Sequence, residues 1–223
     1  MLFALLQSGG NPLTIVITIF SYLVIILIAF PIHESSHALM AKILGDNTAA
    51  NQGRISLNPL KHLDPLGTIG MLVFGVGWAK PVMVQPHKAR KVPMRAAMAL
   101  TAAAGPVSNV IVSLVVLVIE KILLVTADPT DATILYIAIA LEMIISINLF
   151  LAAFNLLPVP PFDGSRIFLS FLPNKLYFGI MKYEEIIKFA ILALMLSGKL
   201  SLPFQWLADL IYSGLDAITS FIC

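Results

Sequence analysis

Residues 13–30, LTIVITIFSYLVIILIAF, run without a break into residues 31–40, PIHESSHALM, and this stretch decides how the chain folds. The first part carries no charge and approaches the roughly 20 apolar residues that a helix needs to cross a bilayer. Three ionisable groups, His33, Glu34 and His37, then arrive within five positions. A charged side chain at mid-bilayer costs about 2.5–3.5 kcal/mol on insertion scales, so such groups need a partner. On a helix, histidines at i and i+4 share one face about one turn apart, a separation that a single metal ion can bridge. Glu34, next to the first imidazole, is too constrained to bind the same ion but can reach a water on it. Gly45 marks the expected stop of this helix.

The rest of the chain agrees with a membrane setting. Hydrophobic residues make up 59% of 223 positions and charged residues 12%, with a mean hydropathy of +0.94, which excludes an ordinary soluble domain. Further spans are expected at 96–125 and 133–157, and less regular apolar stretches at 165–172, 186–197 and 202–222. Residues 46–65 read as a polar loop. Residues 66–78 are apolar but short and hold Gly67, Gly70, Gly75 and Gly77, so they suit a re-entrant or packed hairpin better than a span. The chain is therefore read as an all-α polytopic membrane protein with short strands or a re-entrant hairpin between its first and second spans. Residues 1–13 hold no basic region, so the first apolar run is expected to be a retained helix and not a cleaved signal.

Charge placement gives an orientation. Eight Lys and Arg lie between Lys42 and Arg95, one (Lys121) between the second and third spans, and four from Arg166 to Lys188. Basic residues favour the cytoplasmic side, which puts the His33–His37 end of the first helix near that face. A net charge of +2 argues for no nucleic-acid partner, and the basic loops suit a phospholipid surface. The single Cys223 can form neither an internal disulfide nor a thiolate cluster, so a metal must use imidazole and carboxylate.

A catalytic zinc takes three protein ligands and keeps one position open for water. His62 and His87 lie in basic, proline-rich loops. Asp163 follows the break Asn155-Leu156-Leu157-Pro158-Val159-Pro160-Pro161-Phe162-Asp163-Gly164 and is the better third ligand, although an Asp there also suits the N-cap of the next helix. Glu142 and Asp209, the acidic residues of later apolar stretches, lack that setting.

His33 to His37, Ala104-Gly105-Pro106-Val107-Ser108-Asn109 and Asn155 to Gly164 resemble the motifs of the site-2 protease family of intramembrane metallopeptidases. Asn58 to Gly67 and Trp78-Ala79-Lys80-Pro81-Val82 also resemble family segments, so the likeness covers roughly residues 29–172. Gly75-Val76-Gly77 stands where the family often has Gly-Pro-Gly. The resemblance implies a three-helix catalytic core within residues 1–172, followed by C-terminal transmembrane helices at 173–223. It implies one Zn2+ held by His33, His37 and Asp163, with Glu34 as general base and Asn155 beside substrate or oxyanion. It further implies cleavage of transmembrane protein or peptide substrates within the bilayer, in a compact member without PDZ or CBS domains. The small size suggests a prokaryotic plasma membrane. Oligomeric state stays open.

Three further expectations follow. A non-catalytic zinc-binding scaffold or transporter is the alternative function; a transporter would spread polar residues along several spans, whereas these gather at one depth. Segments 51–57 and 82–85 are expected to offer an edge strand to an unwound substrate. Lys61, His62 and Asp64 read as a polar loop satisfying its own backbone.

Overall fold

The first apolar run forms helix α1 (Pro12–Val24), a π-helical turn (Ile25–Ala29) and helix α2 (Phe30–Leu44) in unbroken succession. The computed structural model describes residues 12–74, 77–128, 131–196 and 201–222. The expectation for the segment before Pro12, the Gly75-Val76 pair and Cys223 lie outside the described residues. The π turn departs from the regular helix expected here, and Pro31 supplies a reason. A proline inside a helix has no N–H for the carbonyl one turn back and its ring crowds that carbonyl, so a wider turn just before it relieves the clash. Gly45 ends α2 as expected: it takes φ 106°, and its N–H reaches Ala41 O and Lys42 O.

Between the first and second spans lie a short helix α3 (Thr48–Asn51) and helix α4 (Pro65–Phe74). No strand forms among the described residues; in place of short strands there is one antiparallel bridge, Leu63 with Ala79, continued by Lys80 N–H donating to His62 O at 2.7 Å. Residues 63–74 and 77–79 thus lie side by side as the two arms of a hairpin, one of them helical. Its arms touch closely, because a Cβ on Gly67 would run into Trp78 O and one on Gly77 into Gly67 O. Leu66, Ile69 and Val73 share the exposed outer face of α4, as a lipid-facing segment would present. Buried Arg54 closes the base of the hairpin by donating to Lys61 O and Lys80 O.

Helices α5 (Met94–Thr126) and α6 (Ala132–Asn155) are the second and third spans. Together with Ile15–Leu44 they are the three described helices long and apolar enough to cross a membrane. Buried Leu117, Ile145 and Leu149 join α5 to α6. Beyond α6 come α7 (Asp163–Leu169), α8 (Asn174–Met181), α9 (Glu184–Leu196) and α10 (Ser201–Thr219). The last helix packs on the spans through Ala208 and Leu215, and Lys121 on α5 pairs with Asp216 at 2.8 Å.

Candidate metal centre

α2 meets α5 at its smallest residues. A Cβ on Gly105 would stand 2.5 Å from His37 Nε2 and 2.6 Å from His33 Cε1, so only glycine leaves room for both rings. The i, i+4 spacing then stacks the imidazoles edge to face, with centroids 4.7 Å apart. Their outer nitrogens are committed elsewhere. His33 Nδ1 lies 2.6 Å from Asn109 Oδ1, and His37 Nδ1 lies 2.7 Å from Thr101 O. Both partners are acceptors, so each Nδ1 carries the hydrogen and each Nε2 presents a lone pair, the arrangement that orients metal-bound histidines.

Asp163 completes the group. It opens α7, but Phe162 is the N-cap residue and no side chain caps that helix, so Asp163 does not serve the capping role that its sequence also allowed. Its Oδ2 instead stands 3.1 Å from His33 Nε2 and 3.3 Å from His37 Nε2. One ligand atom from each of the three residues lies within 4.8 Å of the others. Zinc bonds of 2.0–2.1 Å in a tetrahedron separate neighbouring ligand atoms by about 3.3 Å, so the Nε2–Oδ2 distances fit one zinc ion, and the donor set of two imidazoles and a carboxylate fits a catalytic one. His62 and His87 are not in the cluster. His62 is fully buried in the loop, where its Nε2 holds Ser56 O at 2.7 Å; burial, with Arg54 nearby, lowers its pKa. Asp64 accepts from Gly67 N–H at 2.8 Å, so the loop does satisfy its own backbone.

Glu34 lies outside the cluster of His33, His37 and Asp163. Its Oε2 accepts from Val82 N–H at 3.1 Å and it lines a cavity of about 410 Å3 with His33, His37 and Asp163. Trp78 and Val84 form part of one wall, and Phe154 and Asn155 part of another. Asn155 Nδ2 donates to Leu151 O at 2.9 Å, which uses one of its two amide hydrogens within α6. Phe154 is braced by Phe162 and by Phe204 of α10, with centroids 4.4 and 5.2 Å away.

Sequence reasoning missed one functional position with a visible signal. Asn109 Nδ2 donates to Asn148 Oδ1 at 2.8 Å, and Asn148 Nδ2 donates to Ile144 O at 2.8 Å. Both asparagines are fully buried, so a relay from α6 through α5 fixes the His33 ring. An Asn in the middle of an apolar span is itself a sign of such a role. The main-chain partners Thr101 O and Val82 N–H carry no sequence signal at all.

A helix-borne His-Glu-x-x-His meeting a distant carboxylate over an open cavity defines a metallopeptidase-type centre. The family model described as Peptidase family M50 matches residues 122–198, a stretch that holds Asn148, Asn155 and Asp163 but not the histidine pair. YwhC of Bacillus subtilis, named as a zinc metalloprotease, is 44% identical over 163 residues, covering 70% of this chain and 72% of its own. Two others with that designation are Rip2 of Mycolicibacterium smegmatis, 28% identical over 62% of this chain and 52% of its own, and MJ0611 of Methanocaldococcus jannaschii, 35% identical over 46% and 48%. No solved structure matches. The chain belongs to peptidase family M50, the site-2 protease family, and is an integral membrane zinc metalloprotease.

Proposed function

We propose that this protease cuts peptide bonds of transmembrane substrates inside the bilayer, on the cytoplasmic side of its midplane. The carrying observation is the depth of the cluster. His33 lies 11 residues before the end of α2 and Gly105 lies 11 residues after the start of α5, each about 16 Å along a helix at 1.5 Å per residue. The basic loops lie at those two ends. In this reading residues 1–172 carry the chemistry, residues 173–223 add membrane helices that support it, and the setting is a prokaryotic plasma membrane.

His33, His37 and Asp163 would hold the zinc, which supplies a Lewis acid and lowers the pKa of its water to about 7. Glu34 takes a proton from the attacking water and delivers it to the departing amine nitrogen. Val82 N–H steadies that carboxylate, and the Asn155 amide contacts the substrate carbonyl region. The apolar cavity wall limits water. Substrate enters as an extended strand along 82–85, where the main-chain groups of Met83 and Val84 have no partner among the described residues. The companion segment 51–57 does not share this role: Gln52, Gly53 and Arg54 N–H are spent on Ala49 O and Ala50 O, and Ser56 O on Ser35 and His62.

Glu34→Gln tests the reading. It should retain bound zinc and lower kcat about 10²–10⁴-fold on a single-span substrate in liposomes. Mass spectrometry of the products should place the cut within the span. Normal turnover by the variant would remove Glu34 as the base, and cuts confined to soluble loops would remove the intramembrane reading.

A further inference from the structure

We propose that Arg166, with Lys188 as a weaker second cation, forms a carboxylate-binding subsite in the catalytic cavity, so that preferred substrates carry an acidic group beside the cleaved bond. The inference rests on the protease reading and names the substrate chemistry of that site. Arg166 stands three residues after Asp163 on α7, so both side chains leave neighbouring positions on one side of the helix. It lines the same cavity as Glu34 and His33 and is only partly exposed. Among the described residues, no carboxylate lies within ion-pair distance of it.

A guanidinium stays charged at any working pH and presents its donors as a planar fork that matches a carboxylate. Leaving it unpaired beside apolar walls is costly unless a ligand supplies the missing acceptor. Lys188 reaches the same cavity from α9. Its pairing with Glu185 is loose, at 3.9 Å across less than one helical turn with the Glu185 carboxylate largely in solvent, and such pairs contribute little. The charge count points the same way: Asp163 and Glu34 balance a divalent ion, and two cations are left in the cavity wall. That field draws in an anion. An anionic phospholipid would meet the same cations, but the place of Arg166 one turn from Asp163, in the cavity that Glu34 also lines, favours the peptide.

The test uses the full chain carrying Glu34→Gln, in discs of neutral phosphatidylcholine, and reads binding of labelled apolar peptides by anisotropy. The peptides share one sequence and differ only in Glu against Gln at one position, or in a free against an amidated C-terminus. One acidic form should bind about tenfold tighter than its neutral counterpart, and which one does identifies a side-chain or a terminal carboxylate. Adding Arg166→Gln should bring the ratio close to one, and Lys188→Gln should lower it about two- to threefold. Arg166→Glu should reverse the preference toward a Lys-bearing peptide, an outcome that misfolding does not produce. Equal binding of acidic and neutral peptides, an unchanged ratio in Arg166→Gln, or binding that follows added anionic phospholipid and not the peptide carboxylate would each overturn the subsite. Turnover by the chain with Glu34 intact separates the two ideas: cleavage without acidic preference removes the subsite and leaves the protease, whereas carboxylate-dependent binding without cleavage does the reverse.

Discussion

The floor of the cavity and its rim hold their groups in different ways. On the floor, His33 and His37 are buried, each Nδ1 has an acceptor, and the contacts behind them through Asn109 bind α2, α5 and α6 into one unit. On the rim, residues 81–85 form no helix or strand and are fastened by two main-chain N–H groups, Val82 to Glu34 and Gln85 to Asp46. A metal requires fixed lone pairs, and side chains locked between helices provide them. A substrate that must be unwound requires free main-chain groups, and the irregular segment around Met83 and Val84 offers them among the described residues. Rigidity and adaptability are thus divided between side chains and backbone.

The largest effect should come from removing a floor ligand. Asp163→Ala is expected to bring zinc content to background and to lower cleavage at least about 10³-fold; elemental analysis of the purified protein checks it. Full zinc occupancy in that variant would hand the third position to another carboxylate and dissolve the distinction between floor and rim. Next comes the relay behind His33. Asn148→Leu leaves Asn109 Nδ2 without its acceptor and frees the imidazole to rotate, so zinc affinity or activity should fall about 10–100-fold. Competition with a chelator measures this directly. Were Asn148 only packing, thermal stability would drop while chelator resistance stayed as it was.

How much of this was legible in the sequence follows from the same division. The three spans, the helix stop at Gly45 and the meeting of His33 and His37 on one helix face could be read because each depends on residue type: an apolar run of the right length, a left-handed φ, an imidazole pair one turn apart. Asn148 was equally readable in principle, as a polar side chain inside an apolar helix, yet its partner on α5 could not be known before the helices were placed. The π turn at Ile25–Ala29 arises from how a helix accommodates Pro31, which apolar periodicity does not encode. The expected strands failed because residues 51–57 spend their backbone groups on a local turn and on Ser35, a matter of tertiary contacts. Arg166 was counted only as a loop charge.

The rim offers a smaller test. Val82→Pro deletes the N–H that Glu34 accepts, and Val84→Pro deletes one with no partner among the described residues. If substrate pairs along this segment, Val84→Pro should reduce cleavage about tenfold while zinc content holds, since a strand cannot form its ladder through proline. Unchanged cleavage in Val84→Pro would mean that substrate does not use this edge. A loss seen in Val82→Pro alone would assign the rim to positioning Glu34.

The smallest effect concerns what fastens the rim to α2. Asp46, buried just past the end of that helix, accepts from Thr48 N–H at 2.9 Å and from Gln85 N–H at 2.5 Å. Burial alone would raise its pKa, but the hydrogen bonds from Thr48 and Gln85 outweigh it and hold the carboxyl below the usual range. A carboxyl with a lowered folded-state pKa contributes stability that is complete above its unfolded value, about 4, and is lost as pH falls through the folded value. Asp46→Asn should therefore lower the protection of the Gln85 amide about tenfold at neutral pH, corresponding to roughly 1.5 kcal/mol for a hydrogen bond to a charged acceptor. The gap between the variant and the parent should begin to narrow below about pH 4 and close only as pH falls through the lowered folded value. Hydrogen exchange followed at several pH values reads both. A gap independent of pH would show that the ionised carboxylate does not hold the rim, and the fastening would then lie in the Val82–Glu34 contact alone.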